Sequence, residues 1–188
     1  MIFNYIKIKR VIDIFSSIIF SFMFIIPCLL VYLSILFINK VNPIFLQDRS
    51  GLKKTTFKLI KFQTFKNGNI TKLGYFLRKY KIDEIPQLIN VIKGDLSLIG
   101  PRPLLTSYNT YYSSFQNKRF EVMPGLTGLA QIKLINTNNW RHKFIYDNFY
   151  VNKISFKLDL LIIFYTLVLL IKILFNRIKI IEDHTPLI

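Results

Sequence analysis

Two adjacent carboxylates, Asp83 and Glu84, follow a basic run (Arg78, Lys79, Lys81) and precede Pro86. Proline suits the first turn of a helix, because its missing N–H has no partner to lose there. The spacing therefore predicts a helix opening at Pro86, burying Leu88, Ile89, Val91 and Ile92 and stopping at Gly94. Free backbone N–H groups and the positive end of the helix dipole gather at such a start. They stabilise carboxylates and can bind a phosphate. Asp83 read simply as an N-cap, worth about 1 kcal/mol, stands beside that reading. A second group lies downstream, where Arg102 sits between prolines in Gly100-Pro-Arg-Pro103. Arginine recognises phosphate by paired hydrogen bonds, and flanking prolines restrict the backbone that aims it. Vicinal carboxylates, a proline-fixed arginine and nearby lysines point to phosphate chemistry.

The chain has 188 residues, with 26 basic against 10 acidic side chains, a formal charge of +16. Such a balance suits nucleic acid or an anionic membrane surface. With 52% hydrophobic residues, the composition favours the membrane. Attraction to anionic lipids accounts for the charge without nucleic acid, so no nucleic-acid partner is expected. A nucleic-acid binder would instead lose affinity steeply with salt and have no need of Asp83. The single cysteine, Cys28, allows no intramolecular disulfide, and two distant histidines, His142 and His184, do not suit a histidine metal site. Any metal is expected to be a hard cation held by carboxylates and phosphate, Mg²⁺ being the common choice.

A short basic segment (Lys7, Lys9, Arg10) leads through Asp13 into an uncharged run from Ile14 to Asn39. The run is too long for a signal peptide and lacks a small-residue cleavage site, so it is read as part of the working protein. It is long enough to span a bilayer. Pro27 interrupts it, however, and basic residues flank both ends, Lys40, Arg49, Lys53 and Lys54 following it. The positive-inside tendency places both flanks on the cytoplasmic side. A helix bent at Pro27 that enters and leaves by one face satisfies both features; a proline-kinked spanning helix is the alternative.

Ile44–Gln47 and Thr55–Phe62 around the turn-rich Asp48–Gly51 predict a β-hairpin carrying Lys58 and Lys61, and the loop Lys66–Asn69 leads to a helix bearing Arg78. Ser107–Arg119 reads as a polar surface helix. In Met123–Ile132, Pro124, Gly125 and Gly128 permit a tight path that could approach a phosphate, an ordinary turn being the alternative. Trp140–Val151 has helical spacing, with Trp140, Phe144 and Tyr146 as packing residues. The apolar run Leu160–Ile171, bounded by Asp159 and Lys172, is too short to span and predicts an interfacial helix. The expected architecture is α+β: a mostly helical catalytic domain (41–155) with a small β-hairpin, a re-entrant membrane helix before it (1–40), and a membrane-associated C-terminal helix and tail (156–188).

Lys61-Phe62, Arg78, Ile82-Asp-Glu-Ile-Pro-Gln-Leu-Ile-Asn-Val-Ile-Lys-Gly-Asp-Leu-Ser97, Gly100-Pro-Arg-Pro103 and Pro124-Gly-Leu-Thr-Gly-Leu-Ala-Gln131 resemble the bacterial sugar transferases, the small monotopic phosphoglycosyl transferases. The similarity runs from about Lys7 to about Thr166. It implies transfer of a sugar 1-phosphate from a UDP-sugar to undecaprenyl phosphate with release of UMP, starting a surface glycan at the cytoplasmic face of the bacterial inner membrane. It further implies that Asp83 is the nucleophile, through a phosphosugar-aspartyl intermediate, and that Glu84 supports the nucleophile or the Mg²⁺ ion. Lys61, Arg78 and Arg102 match positions assigned to phosphate binding, Pro27 matches the re-entrant bend, and Asp147 and Asp159 match acidic positions with either a functional or a structural role.

The chain departs from the family pattern at several places. Met123 stands where an arginine is common, Leu129 where a tryptophan is common, and Lys133-Leu-Ile-Asn136 replaces a motif with arginine at the place of Ile135. Ile26 replaces the serine that usually precedes the re-entrant proline, and the segment from Phe65 to Leu73 is short. None of these touches the dyad, but the change at Ile135 bears on the nucleotide-sugar contact. They motivate a rival reading, a catalytically weak or idle membrane homologue acting as a binding partner in polysaccharide assembly.

Overall fold

The computed structural model describes residues 2–134 and 139–175. Ile135, Asn136 and His184 lie outside the described residues. Helix α1 (Ile2–Ser34) continues through Pro27 and runs into a π-helical turn, Ile35–Asn39, closed by Lys40 in the left-handed conformation (φ 55°). Its less exposed positions, Asp13, Ser17, Ser21, Phe24, Cys28, Val31 and Ile35, recur every three or four residues, so one stripe is turned inward. The opposite face, including Ile18, Phe22, Met23, Ile25 and Ile26, is exposed. Tyr5–Asn39 is the one segment among the described residues long and apolar enough to cross a membrane.

Both ends of α1 are fastened to the same body. Arg10 donates to the carbonyls of Val91 (2.6 Å) and Ile92 (3.0 Å), placing a cation on the last turn of α3 (Gln87–Lys93), where the helix dipole favours it. Lys9 pairs with Asp159 (2.8 Å), and Ser97 donates to Asp13 (2.6 Å). At the other end, Ile35 packs with Phe62 and Leu77, and Asn39 donates to Thr71 (3.1 Å).

The expected hairpin is present as antiparallel strands β1 (Ile44–Ser50) and β2 (Thr56–Phe62). Its turn falls later than expected. Asp48, Arg49 and Ser50 stay in the ladder, Asp48 opposite Lys58 with their charges 2.8 Å apart, and the chain reverses at Gly51–Thr55. A two-residue pair, β3 (Phe65–Lys66) with β4 (Asn69–Ile70), leads into α2 (Lys72–Lys79), capped by the Thr71 hydroxyl.

Helix α3 ends at Gly94 in the left-handed conformation (φ 100°), as expected of a glycine stop. Its buried face differs from the expected one. Gln87, Leu88, Asn90 and Val91 are buried, Ile92 is half-buried and Ile89 is 45% exposed. The reason is Asn90, whose side chain accepts from Ile60 N–H (2.9 Å) and donates to the Lys58 carbonyl (2.8 Å) and Asp95 (2.9 Å). An amide able to satisfy the strand edge displaces an isoleucine from the inward position.

Strand β5 (Ser97–Ile99) pairs in parallel with β6 (Gly125–Thr127). Between them the polar segment is not one helix. It breaks into a turn at Thr106–Tyr108, a short α4 (Ser114–Asn117) with a capping box at Ser113 and Gln116, and a second turn at Lys118–Glu121. That second turn buries Arg119 and Phe120, and the chain must bend to bring them inside. The glycines beside β6 serve a close backbone approach. A Cβ at Gly125 would lie 2.0 Å from Gly100 N, and one at Gly128 2.1 Å from Gly100 O. Gly125→Ala is expected to cost about 3 kcal/mol, the upper end of ordinary overpacking. Thermal unfolding in lipid nanodiscs checks this, and a midpoint within about 2 °C of wild type would show that the two backbones separate freely.

Helices α5 (Leu129–Lys133), α6 (Trp140–Lys153) and α7 (Phe156–Leu174) complete the chain. Ile99, Leu129, Ile132, Tyr150, Ile154 and Ile162 form one core cluster, so Leu129 is a packing residue. Phe144 belongs to a second cluster with Leu104, Tyr112 and Phe120, against which Trp140 packs. At 19 residues α7 exceeds the apolar run that announced it, because Ser155 caps it four residues before Asp159. Leu160, Phe164, Leu167, Ile171 and Leu174 are exposed along it.

Candidate active site

Asp83 and Glu84 lie in a single tight turn, Ile82–Glu84, entered from Lys81 in the left-handed conformation (φ 59°). A lysine held at positive φ is uncommon and costs free energy, a feature that clusters at functional sites. The carboxylate of Asp83 does not cap α3; that place falls to Pro86, with no side-chain cap. Instead Asp83 is 6% exposed and its Oδ1 is buried without a hydrogen-bond partner.

Glu84 has the opposite surroundings. Its Oε1 accepts from Lys61 Nζ and from Arg102 Nη2, each at 2.9 Å. Burial alone would raise its pKa, but Arg102, Lys61 and Lys81 overcome that and hold the carboxylate well below the usual range. Burial, then the neighbouring Glu84 charge, push Asp83 up to about 6 against the pull of Lys61, Lys81 and Arg78. Two adjacent carboxylates thus differ: one is locked as an anion by cations, and the other sits exposed to their field with an oxygen unused. Environments that separate neighbouring carboxylates in this way mark candidate functional sites.

Three cations predicted from sequence converge on the dyad to different degrees. Lys61, on β2, is held near it because Asn90 ties β2 to α3; burial lowers its pKa, and Glu84 partly restores it. The Arg102 side chain is 42% exposed and so stands at the mouth of the site. Arg78 stands in the last turn of α2. Its Nε donates to Thr64 Oγ1 (2.9 Å) and its guanidinium sits 4.4 Å from the centre of the Phe65 ring, though its charge still reaches Asp83.

The Gly-Pro-Arg-Pro loop is pinned from several sides. Gly125 N–H donates to the Pro101 carbonyl and Gly100 N–H to that of Thr127, both at 2.9 Å. Arg119 donates to the carbonyl of Arg102, and Arg49 to that of Pro103 (3.1 Å). The sequence reading missed Arg49, Arg119 and Lys81 as parts of the site. Each reads as an ordinary surface cation, Arg49 within the turn-rich Asp48–Gly51 and Lys81 within the basic run before the dyad.

The two remaining acidic candidates both make buried ion pairs. Asp147 pairs with Arg119 at 3.2 Å, both buried. Asp159 accepts from Tyr5 (2.6 Å) and Tyr150 (2.8 Å) and pairs with Lys9, joining α1, α6 and α7. Pro27 lies in α1 away from the dyad's contacts, and Met123 is half-buried beside the glycine motif.

For a divalent cation, the unused buried Oδ1 of Asp83 beside Glu84 is a suitable start. Among the described residues no three metal-ligating side chains cluster. Such an ion would take its other oxygens from substrate phosphate and water, which is how Mg²⁺ is commonly held.

The family model for bacterial sugar transferases matches residues 4–173. An uncharacterized sugar transferase of Bacillus subtilis (strain 168) is 47% identical over 135 residues, covering 65% of this chain and 67% of that protein. A UDP-glucose:undecaprenyl-phosphate glucose-1-phosphate transferase of Caulobacter vibrioides is 35% identical over 142 residues, 66% of this chain and 53% of that one. A UDP-N-acetylgalactosamine-undecaprenyl-phosphate N-acetylgalactosaminephosphotransferase of Aeromonas hydrophila is 33% identical over 187 residues. That match takes in 87% of this chain and 43% of the relative, so the chain spans only part of these longer proteins. With the match extending from the first turns of α1 to the end of α7, through the dyad and the arginine loop, the chain belongs to the bacterial sugar transferase family.

Proposed function

We propose that this protein transfers a sugar 1-phosphate from a UDP-sugar to undecaprenyl phosphate, releasing UMP and initiating a surface glycan. The observation that carries this reading is the buried Asp83 carboxylate with an unpartnered oxygen beside a Glu84 saturated by two cations. The names of the relatives, one acting on UDP-glucose and one on UDP-N-acetylgalactosamine, agree on the reaction class and differ in the sugar.

In the first step a carboxylate oxygen of Asp83 attacks the sugar-bearing phosphorus. The bond between that phosphorus and the bridging oxygen breaks, and UMP leaves with the electron pair. In the second step the phosphate oxygen of undecaprenyl phosphate attacks the same phosphorus, and the Asp83 carboxylate is released. Charge gathers on the phosphoryl oxygens in both steps, where Lys61, Arg102 and Arg78 supply fixed positive charge. Glu84 holds Lys61 and Arg102 in place. Mg²⁺, held by Asp83 with Glu84 adjacent, would neutralise the diphosphate when bound.

The apolar faces of α1 and α7 suit a membrane surface at which both substrates meet. We read α1 as re-entrant, bent at Pro27 in one leaflet with both ends on the cytoplasmic side of the inner membrane. The support is that Arg10 and Asn39, near its two ends, are bonded to the same domain. Pro27→Ala is then expected to straighten the helix and carry the N-terminus across the bilayer. Reactivity of an N-terminal cysteine tag toward an impermeant reagent in oriented vesicles measures this, and unchanged labelling would count against the bend.

The reaction is tested by UMP release from a panel of UDP-sugars, with membrane-embedded protein, Mg²⁺ and undecaprenyl phosphate. Release with one sugar, abolished by Asp83→Asn, is the expected result. Folded protein that releases UMP from none would favour an idle binding homologue, the reading that Met123 and Ile135 motivate.

A further inference from the structure

We propose that Arg49 is an anion-binding residue of this site, seating a phosphate of the diphosphate donor together with Arg102. The proposal rests on the function proposed above and names a contact which that reading does not assign. Arg49 is half-buried on β1, and its side chain reaches the backbone of the arginine loop. Nη1 donates to the Pro103 carbonyl at 3.1 Å and Nη2 to Gln47 Oε1 at 2.6 Å. A guanidinium carries five N–H groups. The Nε of Arg49 is buried without a partner, and each terminal nitrogen has one further N–H beyond the bond it makes.

What sets Arg49 apart is its lack of an acidic partner. An arginine partly withdrawn from water ordinarily faces a carboxylate, because an unpaired guanidinium loses hydration without compensation. Among the described residues Arg49 forms no ion pair, and Arg102, a like charge, is the strongest electrostatic neighbour. Burial first, and then Arg102, push its pKa down to about 10; Glu84, the nearest compensating carboxylate, already accepts from both Lys61 and Arg102. Lys61, Arg78, Lys81, Arg102 and Arg49 thus stand as five cations against Asp83 and Glu84. An oxyanion between the Arg49 and Arg102 guanidiniums relieves the repulsion and uses the forked geometry that arginine offers to phosphate.

A purely structural role, holding the Pro103 carbonyl, makes a different prediction, and calorimetry with inorganic pyrophosphate separates the two. With the full chain in nanodiscs, Arg49→Gln is expected to raise the Kd for pyrophosphate at least about tenfold, the loss of one charge-assisted contact. Arg49→Lys keeps the charge but not the fork and is expected to raise it a few-fold. In transfer assays the KM for the UDP-sugar should rise with that for undecaprenyl phosphate unchanged.

A lowered melting temperature with wild-type Kd in the folded fraction would make Arg49 a loop support and overturn the proposal. If Arg49→Gln does not fold, Arg49→Lys decides on the same criterion. A KM effect confined to undecaprenyl phosphate would place the seat on the acceptor and overturn the assignment to the donor. Failure of wild-type protein to bind pyrophosphate would also overturn it. UMP release judges the transferase reading separately.

Discussion

Asp83→Asn protein is expected to melt above wild type while releasing no UMP. The two effects share one cause. Burial and the adjacent Glu84 charge raise the Asp83 pKa from 3.8 to about 6. The folded state therefore holds this proton more tightly than the unfolded chain does. The ionised form costs stability at pH above about 6, and the cost fades as pH falls toward 4, where the carboxyl is protonated in both states. A rise from 3.8 to about 6 corresponds to at most about 3 kcal/mol at pH 7.5. Asparagine has nearly the same shape and no charge, so the variant recovers part of that. Its midpoint should rise by several degrees at pH 7.5, at about 2–4 °C per kcal/mol for this size, and by little near pH 4.

On the proposed mechanism transfer depends on the charge that asparagine lacks, and loss of the nucleophile should lower the rate by at least about three orders of magnitude. In wild type, kcat/KM should fall as pH drops through about 6, because a protonated Asp83 cannot attack. An Asp83→Asn variant that melts lower, or one that keeps transferring, would remove Asp83 from the role of strained nucleophile. A gain in stability on losing function is the pattern expected of a group kept for chemistry.

Removal of Arg119 is expected to have the largest effect on stability. Arg119 pairs with Asp147 at 3.2 Å with both side chains almost wholly buried, and it also donates to the Arg102 carbonyl. Burial raises the Asp147 pKa, and Arg119 is the first of the groups that oppose this. Arg119→Met leaves the carboxylate buried and alone, which costs about 3–5 kcal/mol. The midpoint should fall by roughly 6–20 °C at pH 7.5. The fall should become smaller as pH is lowered, because protonation of Asp147 removes the unpaired charge.

The double variant Arg119→Met/Asp147→Leu separates packing from positioning. Exchanging a buried pair for apolar residues of similar size is often neutral, so stability should largely return. Transfer should not, because the Arg102 carbonyl has lost its anchor and a small displacement of a charged group can cost tenfold or more. A stable double variant with wild-type kcat/KM would confine the pair to packing.

Local features were legible in the chain because they depend on near neighbours. The glycine stop of α3 at Gly94, the pairing of β1 with β2, and the helical spacing from Trp140 onward follow from backbone preference and short-range periodicity. The adjacency of Asp83 and Glu84 and the proline restraint on Arg102 needed no fold at all. The errors arose where a polar residue goes inside. Periodicity places Ile89 in the core and gives Asn90 no role, since it ranks side chains by polarity and cannot see that an unpaired strand edge wants an amide. Ser107–Arg119 read as a surface helix for the same reason, its arginine being destined for a carboxylate 28 positions away.

The sequence by itself determined the long apolar N-terminal segment, the grouping of Asp83 and Glu84 with Arg102 in contiguous motifs, and the family, because these reside in composition and in near neighbours. The tertiary structure alone decided how the charges are shared. Glu84 took both Lys61 and Arg102, Asp83 kept an oxygen without a partner, Arg78 turned to Thr64 and Phe65, and Arg49 came to lie beside Arg102 with no ion pair among the described residues. Ion pairing falls off over a few ångströms while its partners lie tens of residues apart, and burial sets its strength. Which carboxylate becomes an anchor and which a candidate nucleophile is therefore settled only when the hairpin, α3 and the arginine loop pack against one another.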